Sequence, residues 1–355
     1  MSPYRYRMDE RHDKVIRSTD FDALSCRISA VLRQYLLDPY IQHIVQGLRT
    51  NLPRLPGHKF SANRTVKAIT LPKLPIINRG TYIRTTAIDT IVESFAKNAS
   101  GDAFQIISLG AGSDTRSFKI LLEYGKKVVY HEFDFGETVL LKAATIKGTP
   151  ELASLVGCAP STEDTLPTEL HTDNYHLSAL DLRTIKNVNF AEAFPYIDLT
   201  LPTLILSECV LCYMKPEQVD EVLAAFLKSL RCGAVLIYEP MGTPDDGFSR
   251  VMADNLSQRG IKLPTFFRFP DLWTRLAYLE LMGLHSVQLS NMAYVFRHWV
   301  AGPELVRLNR LELLDEVEEI DLLNEHYVLA LAQFGETSWQ NELQFQVFSQ
   351  PNTAV

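Results

Sequence analysis

Cysteine is scarce and without order in this chain. The five present, Cys26, Cys158, Cys209, Cys212 and Cys232, are odd in number and lack the regular spacing of a disulfide framework. Cys209-x-x-Cys212 has no partner pair, whereas a zinc site draws on about four ligands. It reads as buried and structural, no metal site is expected, and the expected compartment is reducing and cytoplasmic. Long apolar runs are missing too: none approaches the roughly 20 residues of a spanning helix. The N-terminal MSPYRYRMDERHDKVIR has no apolar segment of the secretory kind. Basic charge is in deficit, with 35 Lys and Arg against 42 Asp and Glu and a net charge of −7. That weighs against a nucleic-acid-binding surface. Repeats and low-complexity tracts are absent. What remains is a globular chain of 355 residues, 46% hydrophobic, with ample material for one large core. Neither a membrane nor a nucleic acid is expected as a partner, and the expected state is a monomer.

The pattern along the chain changes once. Residues 1–17 are polar, mixed in charge, and read as a loose arm. Thr19 and Asp22 resemble a capping box, and Phe21, Leu24, Ile28, Val31, Leu32, Tyr35 and Leu36 then recur at helical spacing. Residues 50–75, rich in Pro, Lys and Arg, read as a loop or lid. A second helix from about Thr81 carries Ile83, Ala87, Ile88, Ile91 and Phe95 on one face. From Phe104 short apolar runs take over. FQIISL (104–109) ends in glycines, KVVYHEF (127–133) ends at Asp134, and 175–180 ends at Asp181. TLILS (203–207) ends at Glu208 and AVLIY (234–238) at Glu239. Helical segments separate most of them, clearest at 216–231. Further helices are expected over 246–259, 271–282 and 304–325, and further strands over 284–289 and 326–333. Strands alternating with helices specify an α/β fold with a mostly parallel, doubly wound sheet. In such sheets ligands bind outside the carboxyl ends of the strands.

Gly110-Ala111-Gly112 follows a strand and precedes a helix expected near Ser113. Glycines let a backbone turn tightly and approach a ligand. The third glycine of the dinucleotide fingerprint is missing, since Thr115 occupies its place. A dinucleotide pyrophosphate wants that close approach, whereas S-adenosylmethionine has no phosphate. Asp134 lies 22 residues past Gly112, where an acid can accept both ribose hydroxyls. Asp181 can receive an adenine amino group. Glu208 faces the cationic sulfonium and amino-acid end, which suits a carboxylate. Any one of these acids alone fits a helix cap; the ordered set with the glycine turn points to S-adenosylmethionine. His131 and Glu132 are successive strand residues, so they point to opposite faces and do not pair as metal ligands. Arg268, Trp273 and Arg275 read as helix packing.

The chain resembles the leucine carboxyl methyltransferase family. Carrying the resemblance are DALSCR (22–27), DPYIQ (38–42), NRGTYIRT (78–85), LGAGSDTR (109–116), SECVLCYM (207–214), Leu314-Asp315-Glu316 and His326-Tyr327. It spans about residues 18–335, and the tail 336–355 has no recognised counterpart. The resemblance implies a class I S-adenosylmethionine-dependent methyltransferase: a Rossmann-like, mostly parallel seven-stranded sheet with added N-terminal helices and a lid. The expected division is 1–102 for arm, helices and substrate lid, 103–335 for the core, and 336–355 for the tail. It implies methylation of the C-terminal leucine carboxylate of the protein phosphatase 2A catalytic subunit, giving a methyl ester that regulates holoenzyme assembly. Alternatives are a related enzyme acting on a tRNA modified base or on a small-molecule acid. Cofactor contacts are implied at Arg84, Gly110, Asp134, Asp181, Leu182 and Glu208, with Gly112 added from the turn. Arg27 and Tyr82 are expected to bind substrate. Arg84 and Tyr213 are expected at the reacting groups, with Arg84 holding the substrate carboxylate or the cofactor's own. A C-terminal carboxylate, with a pKa of about 3.5, is already ionised at neutral pH. The expected task is therefore positioning and exclusion of water, without a general base.

Overall fold

The computed structural model describes residues 10–99, 103–161, 165–315, 317–337 and 339–347. Four helices precede the sheet: α1 (Glu10–Leu32), α2 (Ile41–Asn51), α3 (Ala62–Ile69) and α4 (Pro75–Asn98). Strands and helices then alternate through β1 (Phe104–Leu109), α5 (Arg116–Tyr124), β2 (Val128–Asp134), α6 (Gly136–Gly148), α7 (Pro150–Val156), β3 (Leu170–His171), β4 (Tyr175–Ala179), α8 (Phe190–Ala193), β5 (Thr203–Glu208), α9 (Pro216–Ser229) and β6 (Cys232–Pro240). The chain closes with α10 (Gly247–Gln258), α11 (Leu272–Leu281), β7 (His285–Asn291), α12 (Met292–Trp299), α13 (Gly302–Leu311), α14 (Val317–Glu325) and β8 (Tyr327–Gly335).

The sheet order is β3-β4-β2-β1-β5-β6-β8-β7. β4, β2, β1, β5 and β6 run parallel, and β8 is antiparallel to both its neighbours. The expected seven strands are present, and the two-residue β3 adds an antiparallel edge on β4. Strand order reverses about β1, which lies between β2 and β5. That opens a crevice at the carboxyl ends of β1 and β5.

Period-two alternation divides the core between the two faces. Ile106, Leu204, Leu206, Leu236 and Leu331 pack with α1, α2, α4 and α6. Ile107, Leu109, Ile205, Val235 and Ile237 pack with α9 and α11. The expected stripe Ile83, Ala87, Ile88, Ile91 and Phe95 is buried in the first cluster, so the N-terminal helices share that core with the sheet. Glu239 also follows the alternation. It is buried and pairs with Arg275 of α11 at 3.0 Å.

Several boundaries differ from the sequence expectation, each through a tertiary contact. Residues 10–17 are helical, and Asp13 of this segment accepts from Arg183 Nη1 at 2.7 Å. Charge pairing thus orders a stretch without apolar periodicity, while residues 1–9 of the expected arm lie outside the described residues. The 50–75 segment contains a 3-10 turn at Leu52–Arg54 and α3, which buries Ala62, Val66 and Ile69. α4 begins at Pro75, whose missing N–H and fixed φ suit a first helical position. The 304–325 helix is two helices. Between them Glu312 is extended and accepts from Asn78 at 2.8 Å.

The described part of the tail is packed. Trp339 sits edge-on to Phe95 at 5.4 Å and Phe345 edge-on to Trp299 at 5.3 Å. Gln333 Nε2 donates to the Trp339 carbonyl at 2.8 Å, and Trp299 Nε1 to the Gln344 carbonyl at 2.6 Å. Trp339→Ala therefore removes a buried ring from the main core. It is expected to lower unfolding free energy by about 3–5 kcal/mol in urea titrations; a loss below about 1 kcal/mol would show that the tail contributes no core packing.

Candidate active site

The glycine turn is shaped by conformation and by space. Gly110 and Gly112 have φ of +61° and +51°, in the left-handed region that side chains disfavour. A Cβ on Gly110 would lie 2.5 Å from Val210 Cγ2, and one on Gly112 2.5 Å from Asp20 Oδ1. The loops after β1 and β5 therefore pack without room for side chains on the turn. Its amides are taken in order. Ala111 donates to the Phe133 carbonyl at 3.1 Å, Gly112 to Asp134 Oδ2 at 2.7 Å, and Ser113 to Asp20 Oδ1 at 2.7 Å. The helix after the turn starts at Arg116 rather than Ser113.

Behind the turn lies a buried charge cluster. Arg116 donates through Nε to Asp89 at 2.6 Å and through Nη1 to Asp114 at 2.5 Å and Glu208 at 3.3 Å. Glu208 also accepts from Arg84 Nε at 2.5 Å. Burial alone would push the Glu208 carboxyl up, but Arg84 and Arg116 outweigh it and hold it below its ordinary range. Burial likewise opposes the Arg84 charge, and Glu208 reverses that, keeping the guanidinium protonated well above its usual range. The terminal nitrogens of Arg84 donate to no described residue. The guanidinium lies over the Tyr238 ring at 5.1 Å, and Tyr238 stacks on Tyr327 at 5.3 Å.

Arg84, Asp114, Glu208, Tyr238 and Tyr327 line one cavity of about 440 Å³ at the carboxyl ends of the strands, a size typical of small-molecule sites, with Arg116 buried behind it. Its wall takes in Arg84, Gly110, Gly112, Asp134, Asp181, Leu182, Glu208, Tyr213 and Arg27. Burial and the Asp20 carboxylate raise Asp134 to about 6. Asp181 is paired to Arg183 at 2.8 and 2.7 Å and caps the short helix after β4. Arg27 donates to Asp38 at 2.7 Å, which in turn holds Thr115 at 2.6 Å. Burial pushes the Tyr213 hydroxyl far above its ordinary range, so it stays a neutral donor. Tyr82 is not brought to the cavity. Two residues from Arg84 on α4, it faces the far side, where burial and a hydrogen bond with Glu304 raise its hydroxyl.

Asp20 and Tyr238 belong to the site and were not singled out from sequence, while Arg116 and Tyr327 stand in the LGAGSDTR and His326-Tyr327 motifs without an assigned role. Tyr238 had a signal, since its register partner across the sheet is Glu208. Asp20 had none, because α1 reaches the turn only through the tertiary fold. Among the described residues no group of three or more His, Cys, Asp or Glu is placed to hold a metal ion. Cys209, at φ +55°, lines the cavity, and Cys212 is buried. Arg268 and Arg275 pack over the Tyr278 and Phe269 rings at 4.5 and 4.2 Å. The residues fit a nucleoside carrying a cationic amino-acid end. The bare turn leaves room for a close backbone approach, with Asp134 at the end of β2 on one side and ionised Glu208 at the end of β5 on the other.

The sequence model of the family described as leucine carboxyl methyltransferase matches residues 15–227. The chain is 41% identical over 351 residues to leucine carboxyl methyltransferase 1 of Debaryomyces hansenii, spanning 92% of this chain and 94% of that protein. It is 37% identical over 359 residues to the Candida albicans protein of the same name, spanning 94% and 95%. Against the Arabidopsis thaliana leucine carboxyl methyltransferase 1 homolog the identity is 31% over 317 residues, spanning 89% and 88%. Matched over more than half its length by the family model, and nearly end to end by these relatives, the chain belongs to the leucine carboxyl methyltransferase family and is an S-adenosylmethionine-dependent methyltransferase.

Proposed function

We propose that this protein methylates the α-carboxylate of the C-terminal leucine of the protein phosphatase 2A catalytic subunit, forming a methyl ester that regulates holoenzyme assembly. The observation that carries the reading is Arg84. It is held charged by Glu208, its terminal nitrogens donate to no described residue, and it stands in a cavity also lined by Ile76, Ile77, Met214, Leu256, Ile261 and Leu323. A charged donor beside aliphatic walls suits a carboxylate with an apolar side chain. S-adenosylmethionine supplies a sulfonium-bound methyl group there. Asp134 accepts the ribose hydroxyls and keeps the Gly112 amide engaged. Leu182 would give the base an apolar wall, and Asp181 would receive the adenine amino group. Glu208 faces the cationic end and orients Arg84. Tyr213 closes the reacting region against water. The five free cysteines suit the reducing cytoplasm, where we place the reaction.

The direct test is incubation with labelled S-adenosylmethionine and the phosphatase core enzyme. A base-labile label on the C-terminal leucine is expected; label on tRNA or on small acids instead, with intact phosphatase present, overturns the substrate assignment. Arg84→Ala leaves Glu208 buried beside Arg116 alone and removes the carboxylate donor. It is expected to cost about 100-fold or more in kcat/KM with an unchanged circular dichroism spectrum. Whichever KM rises, that of the phosphatase tail or of the methyl donor, identifies the carboxylate Arg84 holds; near-normal turnover removes it from the site.

Asp134 gives a pH dependence. With its carboxyl raised to about 6, it accepts ribose hydroxyls fully only above that pH. Affinity for the donor is expected to fall about tenfold per unit below pH 6. In the ligand-free protein the same shift favours the folded state below the ordinary value of 3.8 and loses that contribution as pH rises to about 6. Calorimetric affinities that stay flat between pH 7 and 5 would remove Asp134 from ribose binding.

A further inference from the structure

Asp20, on α1, is held from one side only. Its Oδ1 accepts the Ser113 amide and its Oδ2 the Ser113 hydroxyl, both at 2.7 Å. The preceding amide, Gly112, goes to Asp134 at 2.7 Å. Two successive amides of the glycine turn are therefore clamped by carboxylates from opposite directions, one from the sheet and one from the N-terminal helix. Asp20 also lies where a Gly112 side chain would stand. Behind it is a second cavity of about 300 Å³, sharing Arg17, Asp20, Ser113 and Thr138 with the first. Asp20 is thus a partition with open space on both sides, kept in place by Ser113 rather than by close packing.

Its charge stands out from its neighbours. Around Asp134 the ionisable groups are Arg17 and Asp20 from α1, Asp114 from the turn, Glu137 and Lys142 from α6, and Asp181 and Arg183 beyond β4. Arg17 pairs with Glu137 at 3.2 Å, Asp114 with Arg116 at 2.5 Å, Lys142 with Glu132 at 2.5 Å, and Arg183 with Asp181 at 2.7 Å. Among the described residues Asp20 and Asp134 make no ion pair. Burial raises the Asp20 carboxyl while Lys142 offsets part of its charge; with no direct ion pair on either acid, Asp20 raises the cost of ionising Asp134 across the turn. We propose that Asp20 is a positioning residue of the methyl-donor site: through Ser113 it fixes the glycine turn, and through its charge it acts across the turn on Asp134. Burial followed by repulsion from Asp20 is what raises Asp134. The consequence is a link between the docking of α1 and the ionisation of the ribose acceptor.

The inference rests on the reading of the cavity as a donor site. The test is calorimetric binding of S-adenosylhomocysteine to the full chain between pH 4.5 and 8.5, with wild type, Asp20→Asn and Asp20→Ala. Asp20→Asn keeps an acceptor for Ser113 and removes the charge. Its low-pH midpoint of binding is expected to fall by about one unit. Asp20→Ala is expected to show a similar shift and about tenfold weaker binding at pH 8. Wild type that binds, with midpoints unmoved in both variants, overturns the inference and leaves the cavity reading standing, even if both variants lose thermal stability. Wild type that binds no S-adenosylhomocysteine overturns both.

Discussion

Arg116 is the fixed point of this molecule's chemistry. Its side chain is 2% exposed, and it bridges Asp89 of α4, Asp114 of the glycine turn and Glu208 at the end of β5. A guanidinium stripped of water is tolerable only with such partners. Each partner leads on to another element of the cavity. Glu208 holds Arg84 from α4, and Asp114 lies 3.6 Å from Arg27 of α1, which holds Asp38. The N-terminal helices, the turn and the central strands thereby meet in one cluster of alternating charge. The yield of such a cluster is geometry more than stability, because desolvation consumes most of the Coulombic gain. Side chains that must present a donor and an acceptor at fixed positions are held here by charge rather than by shape.

The backbone supplies the second constraint. Because β1 is the switch point of the sheet, the loops after β1 and β5 diverge over the cavity, and Val210 closes on Gly110 between them. That contact fixes the left-handed glycines on one side. On the other, Cys209 itself takes a positive φ of +55°, an uncommon conformation outside glycine. The bend at Cys209 lets the chain leave β5 while Glu208 stays aimed at Arg84. Strain at the strand end and absence of side chains in the turn are thus two aspects of one close approach.

How much was legible in the sequence follows from which forces left a local trace. Burial on both faces of a parallel sheet writes short continuous apolar runs, so the strands and their terminal acids could be read directly. The bare turn and the missing third glycine were legible for the same local reason. Asp20, the role of Arg116 and the helical start of α1 were not, because each depends on partners distant in sequence, as with Asp13 and Arg183. Tyr82, expected to bind substrate, stands two positions from Arg84, and two steps along a helix carry a side chain to the other face. Register with Glu208 picks out Tyr238 rather than its acidic neighbour.

The protonation states around the cavity suit a nucleophile that is ionised before it arrives. Glu208 is held charged by its two arginines and Arg84 by Glu208, while burial keeps the hydroxyls of Tyr213, Tyr238 and Tyr327 protonated. None of these groups changes charge near neutrality, whereas a general base that must cycle works best with a pKa near the operating pH. Asp134, at about 6, comes closest, but it is engaged by the Gly112 and Phe135 amides at the far side of the turn. A carboxylate brings its own negative charge and needs only an oriented cation, a dry wall and an electrophile in line. An alcohol or amine would need a proton acceptor as well. The fixed charges therefore favour a carboxylate acceptor on chemical grounds, independently of the sequence relationship.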